Sequence, residues 1–267
     1  MKKIIFSLFV VLGICFSLTA CNASEQMTYT YTATTLATTP TQTDATDPTE
    51  PPPPPLPEHS DLYIDGLSVE DVITYFNEVA LDVEFSTGSG DPSLIQKWEI
   101  PLVYRLYGDY TEKDLQILTD FCSYLNNIDG FPGIRQATTE EFPNLKIYFY
   151  NYSNFVNVLG NNFADADGAV NYWYHTDTND IYDSTIYIRT DIDQEVRNSV
   201  IQEEIYNGLG LTQDTDLRED SIIFSGYSFP QELTEIDDLL LRLICHPDIK
   251  PGMNAEACET VIRALYY

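Results

Sequence analysis

Basic residues are scarce in this sequence: 13 Lys and Arg stand against 42 Asp and Glu among 267 residues, a formal charge of −29. So acidic a chain repels nucleic acid and anionic membrane surfaces, which argues against both as partners. Histidine is rarer still. The three present are His59, His175 and His246, and no two fall at the spacing of a zinc-ligand pair. There is no Gly-x-Ser-x-Gly elbow, no phosphate-cradling glycine loop, no Cys-x-x-Cys pair and no EF-hand spacing. No cofactor is implied by any local motif. The apolar run from Ile4 to Leu18 is too short to remain in a bilayer as a spanning helix.

That run has another use. Met1-Lys2-Lys3 is a basic start, and Leu18-Thr19-Ala20 brings small residues up to Cys21, so residues 1–20 read as a secretory signal. A cysteine after Leu-Thr-Ala resembles the lipobox of bacterial lipoproteins, which implies cleavage before Cys21 and a lipid on its sulfur. The expected location is extracytoplasmic, anchored to the cell membrane through Cys21. Cleavage removes Lys2 and Lys3 and no acid, leaving 11 basic against 42 acidic groups, net −31. Lipid alone must then anchor the chain, since no polybasic patch assists. Residues 21–59 are rich in Thr, Pro and acid and end in Pro51 to Pro55, Leu56 and Pro57. With few large apolar side chains this segment is expected to be a disordered linker, stiffened where the prolines favour an extended helix.

Of five cysteines, Cys122, Cys245 and Cys258 fall in the remaining 60–267. Export permits a disulfide, and Cys245 with Cys258 is the pair closest in sequence; the alternative is three unpaired buried thiols.

Residues 60–267 have globular composition. Ser68 with Asp71 and apolar residues at Val69, Val72, Ile73, Phe76, Val79 and Ala80 predict a helix over 69–81. Ile100, Leu102, Tyr104 and Leu106 alternate, predicting one strand over 98–107. Thr111 with Asp114 caps a second helix carrying Leu115, Leu118, Cys122 and Leu125. A strand follows at 146–150, helical turns at 153–159, and a hairpin of 169–174 with 185–189 across an Asp-, Thr- and Asn-rich turn. Asp193 opens a helix burying Val196, Val200, Ile201 and Ile205, and two more helices begin at Thr234 and Asn254. The order describes a single α+β domain with a mixed sheet, a central helix and a helical C-terminal part.

The segment Glu203-Glu204-Ile205-Tyr206-Asn207-Gly208-Leu209-Gly210-Leu211-Thr212-Gln213-Asp214 ends that central helix. Residues 203 and 207 are four apart and share a helical face. The spacing resembles the zinc helix of metzincin metallopeptidases, with Glu204 at the general-base position, Gly210 at the turning glycine, and Glu203, Asn207 and Gln213 at the ligand positions. A carboxylate and two neutral amides thus stand where imidazoles hold zinc, so no metal is expected. Pro251-Gly252-Met253 falls where metzincins place their methionine turn.

A wider set of residues matches another family. Tyr75-Phe76 with Glu78-Val79-Ala80, Glu84, Lys97-Trp98, Glu203-Glu204 with Leu209-Gly210-Leu211, Asp214, Ser221-Ile222, Asp238 to Leu243 and Pro251-Gly252-Met253 together resemble the bacterial family catalogued as domain of unknown function 2927. The resemblance covers about residues 68–254. It implies an exported or lipid-anchored protein without established activity, and the metzincin comparison implies a zincin-like layered topology.

Three readings stay open for Glu203 and Glu204. One carboxylate acts as a general base with its pKa raised by its neighbour; both bind a hard cation with Asp214 or Asp216; or both are structural. Tyr148, Tyr150, Tyr152, Tyr172 and Tyr174 are candidates to line a sugar or peptide groove, or else cover the sheet. Asp165, Asp167, Asp177, Asp180 and Asp183 are candidates for calcium, or else for turns. The combined expectation is a tethered, non-catalytic module that binds an extracellular protein, peptide or glycan. Its alternative is a hydrolase using Glu204 as base.

Overall fold

The computed structural model describes residues 60–81, 93–226 and 229–267. Cys21, the signal, the linker and Glu84 lie outside the described residues.

The chain order is α1 (Val69–Leu81), β1 (Lys97–Trp98), β2 (Leu102–Gly108), α2 (Glu112–Leu125), β3 (Ile134–Gln136), β4 (Leu145–Tyr150), α3 (Tyr152–Leu159), a 3-10 turn (Asn161–Phe163), β5 (Gly168–Tyr174), β6 (Asp180–Arg189), α4 (Gln194–Gly208), α5 (Glu235–Cys245) and α6 (Ala255–Tyr266). Helix starts follow their caps. Thr111 and Asp114 form a reciprocal capping box on α2, as do Thr234 and Asp237 on α5. Ser68 and Asp71 exchange the equivalent bonds at α1, and Asn154 and Ala257 donate to the capping amides of Asn151 and Asn254.

The sheet is mixed. β3, β2, β4 and β6 run parallel in that order, β1 joins the first residues of β6, and β5 returns antiparallel along β6's other edge. The hairpin turn closes through Asn179, whose left-handed φ of 63° an asparagine tolerates. The apolar alternation of β2 and β4 sends Leu102, Tyr104, Leu106, Leu145, Ile147 and Phe149 into one core shared with the helices. On the other face, α3 and the 3-10 turn bury Phe155 and Phe163 against Tyr150 and Tyr187.

The single strand expected over 98–107 is two. Pro101 has no N–H for a ladder, residues 99–101 leave the sheet, and Ile100 is 44% exposed. β1 therefore pairs with β6 while β2 pairs with β3 and β4.

The expected Cys245–Cys258 disulfide is absent, a correction to the sequence reading: Cys122, Cys245 and Cys258 are all buried free thiols. Cys245 ends α5 and Cys258 lies in the first turns of α6, each packed into the apolar core. Proximity in sequence does not bring two β-carbons into bonding geometry when each is carried inward by its own helix.

Candidate functional site

Helix α4 is unusual in being polar yet buried nearly all round. Arg197, Asn198, Ser199, Gln202, Glu204 and Asn207 are each less than a tenth exposed. A buried polar side chain costs stability unless it is paired, so such a helix has to be held by specific bonds. Asp114 of α2 supplies the first: it is fully buried and its Oδ1 accepts from Arg197 Nε at 2.8 Å and Gln194 Nε2 at 2.8 Å. The Arg197 fork also donates to Thr190 O and Gln194 Oε1. Burial pushes the Asp114 carboxyl upward, but the bonds from Gln194, Thr111 and Arg197 outweigh it and hold the pKa below its ordinary value. No sequence signal marks a partnership between residues 83 apart; Asp114 is legible only as a cap.

The C-terminal end of α4 is fixed by Trp98, whose Nε1 donates to Gly208 O at 2.9 Å. Gly210 then turns the chain with φ 107°, and a β-carbon there would stand 2.0 Å from Gln96 O. Only glycine fits both constraints. The following segment is tied to α1, because Thr212 N and Gln213 N both donate to Val79 O.

This framework gathers the carboxylates. Glu204 is 2% exposed and Glu203 half-buried beside it. Burial, the Glu204 charge, Asp214 and Asp167 raise the Glu203 pKa well above the carboxylate range; burial and Asp214 do the same to Glu204. Asp214 thus lies within electrostatic reach of both. One turn on, Asn207 is 3% exposed and its Oδ1 has no hydrogen-bond partner among the described residues; the same holds for Asn77 Oδ1 of α1. Gln213 joins the site's border through its backbone bond to α1. Among the described residues no three His, Cys, Asp or Glu side chains are disposed to hold a metal ion. Carboxyls whose neutral form is favoured, set beside amide oxygens, can accept hydrogen bonds, and a carboxyl in its protonated form can donate one.

Gly168 is a contributor that sequence reading missed. It opens β5 directly over α4, where a β-carbon would stand 2.4 Å from Glu204 Oε1 and 2.6 Å from Val200 Cγ1. A glycine at the start of an edge strand is the only sequence hint of so close an approach. The Pro251-Gly252-Met253 segment pairs elsewhere: Gly252 N donates to Ile95 O and Ile95 N to Met253 O, just before β1.

The other candidates separate. Asp183 pairs with Lys146, Asp167 with Arg189 and Asp180 with Thr178, so these acids serve the sheet and its turn. Asp216 accepts from Ser225. The tyrosines divide between two faces. Tyr172 is buried in the main core with its hydroxyl on Gln96 Oε1, whereas Tyr107, Tyr148 and Tyr187 stack in a row on the outer face at 4.7 and 5.6 Å. The sheet thus separates Tyr172 from Tyr148 and Tyr150.

These features define an α+β domain whose central helix carries a buried and a half-buried carboxyl side by side near its C-terminal end. A family model described as "Protein of unknown function (DUF2927)" matches residues 69–264, and the chain belongs to that family. No curated protein matches the chain.

Proposed function

We propose that the protein is an extracytoplasmic lipoprotein, anchored through Cys21, whose zincin-like domain binds a protein, peptide or glycan without catalysis. The observation that carries this reading is the placing of Glu203, Glu204 and Asn207 at one end of α4, with Asn207 Oδ1 lacking a hydrogen-bond partner among the described residues. Positions that hold imidazoles in the metzincin pattern carry oxygen acceptors, suited to engaging the N–H and O–H groups of a ligand. The zincin-like topology is supported by the antiparallel edge strand β5 lying over α4 and by the sharp turn at Gly210.

Metal analysis of the purified chain, with peptidase assays of wild type and Glu204→Gln, tests the binding role. The expected result is no stoichiometric zinc and no hydrolysis. A second reading, a hydrolase with Glu204 as base, rests on that residue's raised proton affinity. Peptide hydrolysis that disappears in Glu204→Gln would establish it and overturn the first. Anchoring is tested by intact mass and membrane fractionation of Cys21→Ser, which is expected to lose the lipid and leave the membrane fraction.

A further inference from the structure

A second site lies beside Gln202, the α4 residue preceding the carboxylate pair. A cavity of about 530 Å³ opens between α2, α4 and the turn leading into α5. That volume lies within the range of small-molecule sites. Its apolar lining comes from Ile117, Phe121, Tyr124 and Leu233, with the Phe121 and Tyr124 rings stacked at 6.0 Å.

The polar lining is one-sided. Tyr124 OH is committed to Asp238, Thr234 Oγ1 to Asp237, and Gln231 Nε2 to Glu195 O and Phe229 O. Gln202 Nε2 is used on Asn198 O and Gln231 O. Every side-chain N–H or O–H of the lining is therefore already engaged, that of Tyr124 on the rim carboxylate Asp238 itself. Acceptors remain. Gln202 is 7% exposed and its Oε1 accepts no hydrogen bond among the described residues. Carboxylates of Asp120, Glu232, Glu235 and Asp238 stand around it; Asp238 already accepts from Tyr124 and lies 3.8 Å from Arg242, which does not itself line the cavity, so Asp120, Glu232 and Glu235 carry the uncompensated charge. Glu235 and Asp238 sit in the first turn of α5, where the helix dipole accounts for acid. Asp120, late in α2, accepts from Gln116 Nε2 through Oδ1 and keeps its other oxygen free of any such bond, and Glu232, before the cap of α5, lies outside a helix altogether.

We propose that this cavity binds an organic cation: an ammonium or guanidinium group on an apolar stem. The stem packs on Phe121 and Tyr124, and the head group donates to Gln202 Oε1 and the rim carboxylates. The same head group occurs on a free amine or on a lysine side chain of a peptide. The site is independent of Glu203 and Glu204.

Calorimetric titration of the full chain in non-ionic detergent with 4-phenylbutylamine and with N-acetyl-lysine methylamide tests this, using 4-phenylbutanol as the neutral control. Hydrogen exchange locates the contact. Saturable binding of a cation with protection of 117–124 and 231–238 is expected. If only the amine binds, the site takes free amines; if only the lysine amide binds, it takes peptide side chains. Asp120→Asn with Glu232→Gln, both at exposed positions, is expected to weaken binding about fivefold with an unchanged melting temperature. Equal binding of the butanol, no saturable binding of either cation, or full affinity in the double variant would each overturn the proposal.

Discussion

Gly168 and Glu204 are in contact across the β5–α4 interface, so closely that a β-carbon on residue 168 would meet Glu204 Oε1 at 2.4 Å and Cγ at 2.7 Å. Moving the carboxylate end alone does not relieve this, because Val200 Cγ1 is also within 2.6 Å. Gly168→Ala is expected to cost about 1–3 kcal/mol, the usual penalty of overpacking. Glu204→Ala in the same chain should recover part of it. Urea denaturation of the two single variants and the double variant measures the coupling, and strictly additive losses would contradict the contact.

The pH dependence of Glu204 has a definite sign. Burial and Asp214 favour its neutral form, so its folded-state pKa is raised. The stability tied to the protonated carboxyl is complete below the ordinary carboxylate range and is lost as pH climbs through the raised value. Glu204→Gln keeps the shape and removes the titration. Its melting temperature relative to wild type should therefore increase with pH above 4.5, the ordinary Glu value. A difference that stays flat or falls as the pH rises would refute this account.

Asp114 titrates the other way. Its pKa is lowered despite burial, so the stability it supplies is present above the ordinary Asp range and is lost as acid drives the pH down through the depressed value. Asp114→Ala leaves the buried Arg197 guanidinium without its carboxylate and should cost about 3–5 kcal/mol. Denaturation at pH 7 provides the measurement. A loss under about 1 kcal/mol, as for an exposed pair, would mean that α2 and α4 are not held by this bond.

The thiols should be inert in the folded domain. Burial raises Cys122 and Cys245 to about 12 and Cys258 to about 11, far from the thiolate form that reacts. Peptide mapping after mild alkylation is expected to find these three unmodified until denaturant is added. Recovery of a Cys245–Cys258 disulfide peptide from non-reduced protein would contradict the free thiols.

Local chemistry determined much of this chain. The capping pairs Thr111–Asp114 and Thr234–Asp237 and the spacing of Val72, Phe76 and Val79 mark helices because a cap and an apolar stripe need only neighbours a few residues away. The alternation in β4 and the Asp- and Asn-rich turn before β6 mark strands and hairpin for the same reason. Glu203, Glu204 and Asn207 are likewise placed on one helix end by spacing alone.

Tertiary structure decided the rest, because it depends on partners far apart in the chain. Ile134–Gln136 is too short to show a period and becomes a strand only beside β2, with Asn126 bonding both backbone groups of Ile134. The long-range bond from Asp114 to Arg197 and the close approach of Gly168 are set by how α2, β5 and α4 pack. So is the burial of Cys245 and Cys258 as free thiols. The same packing raises the proton affinity of the two glutamates, since desolvation acts only once the surrounding elements have closed over a charge.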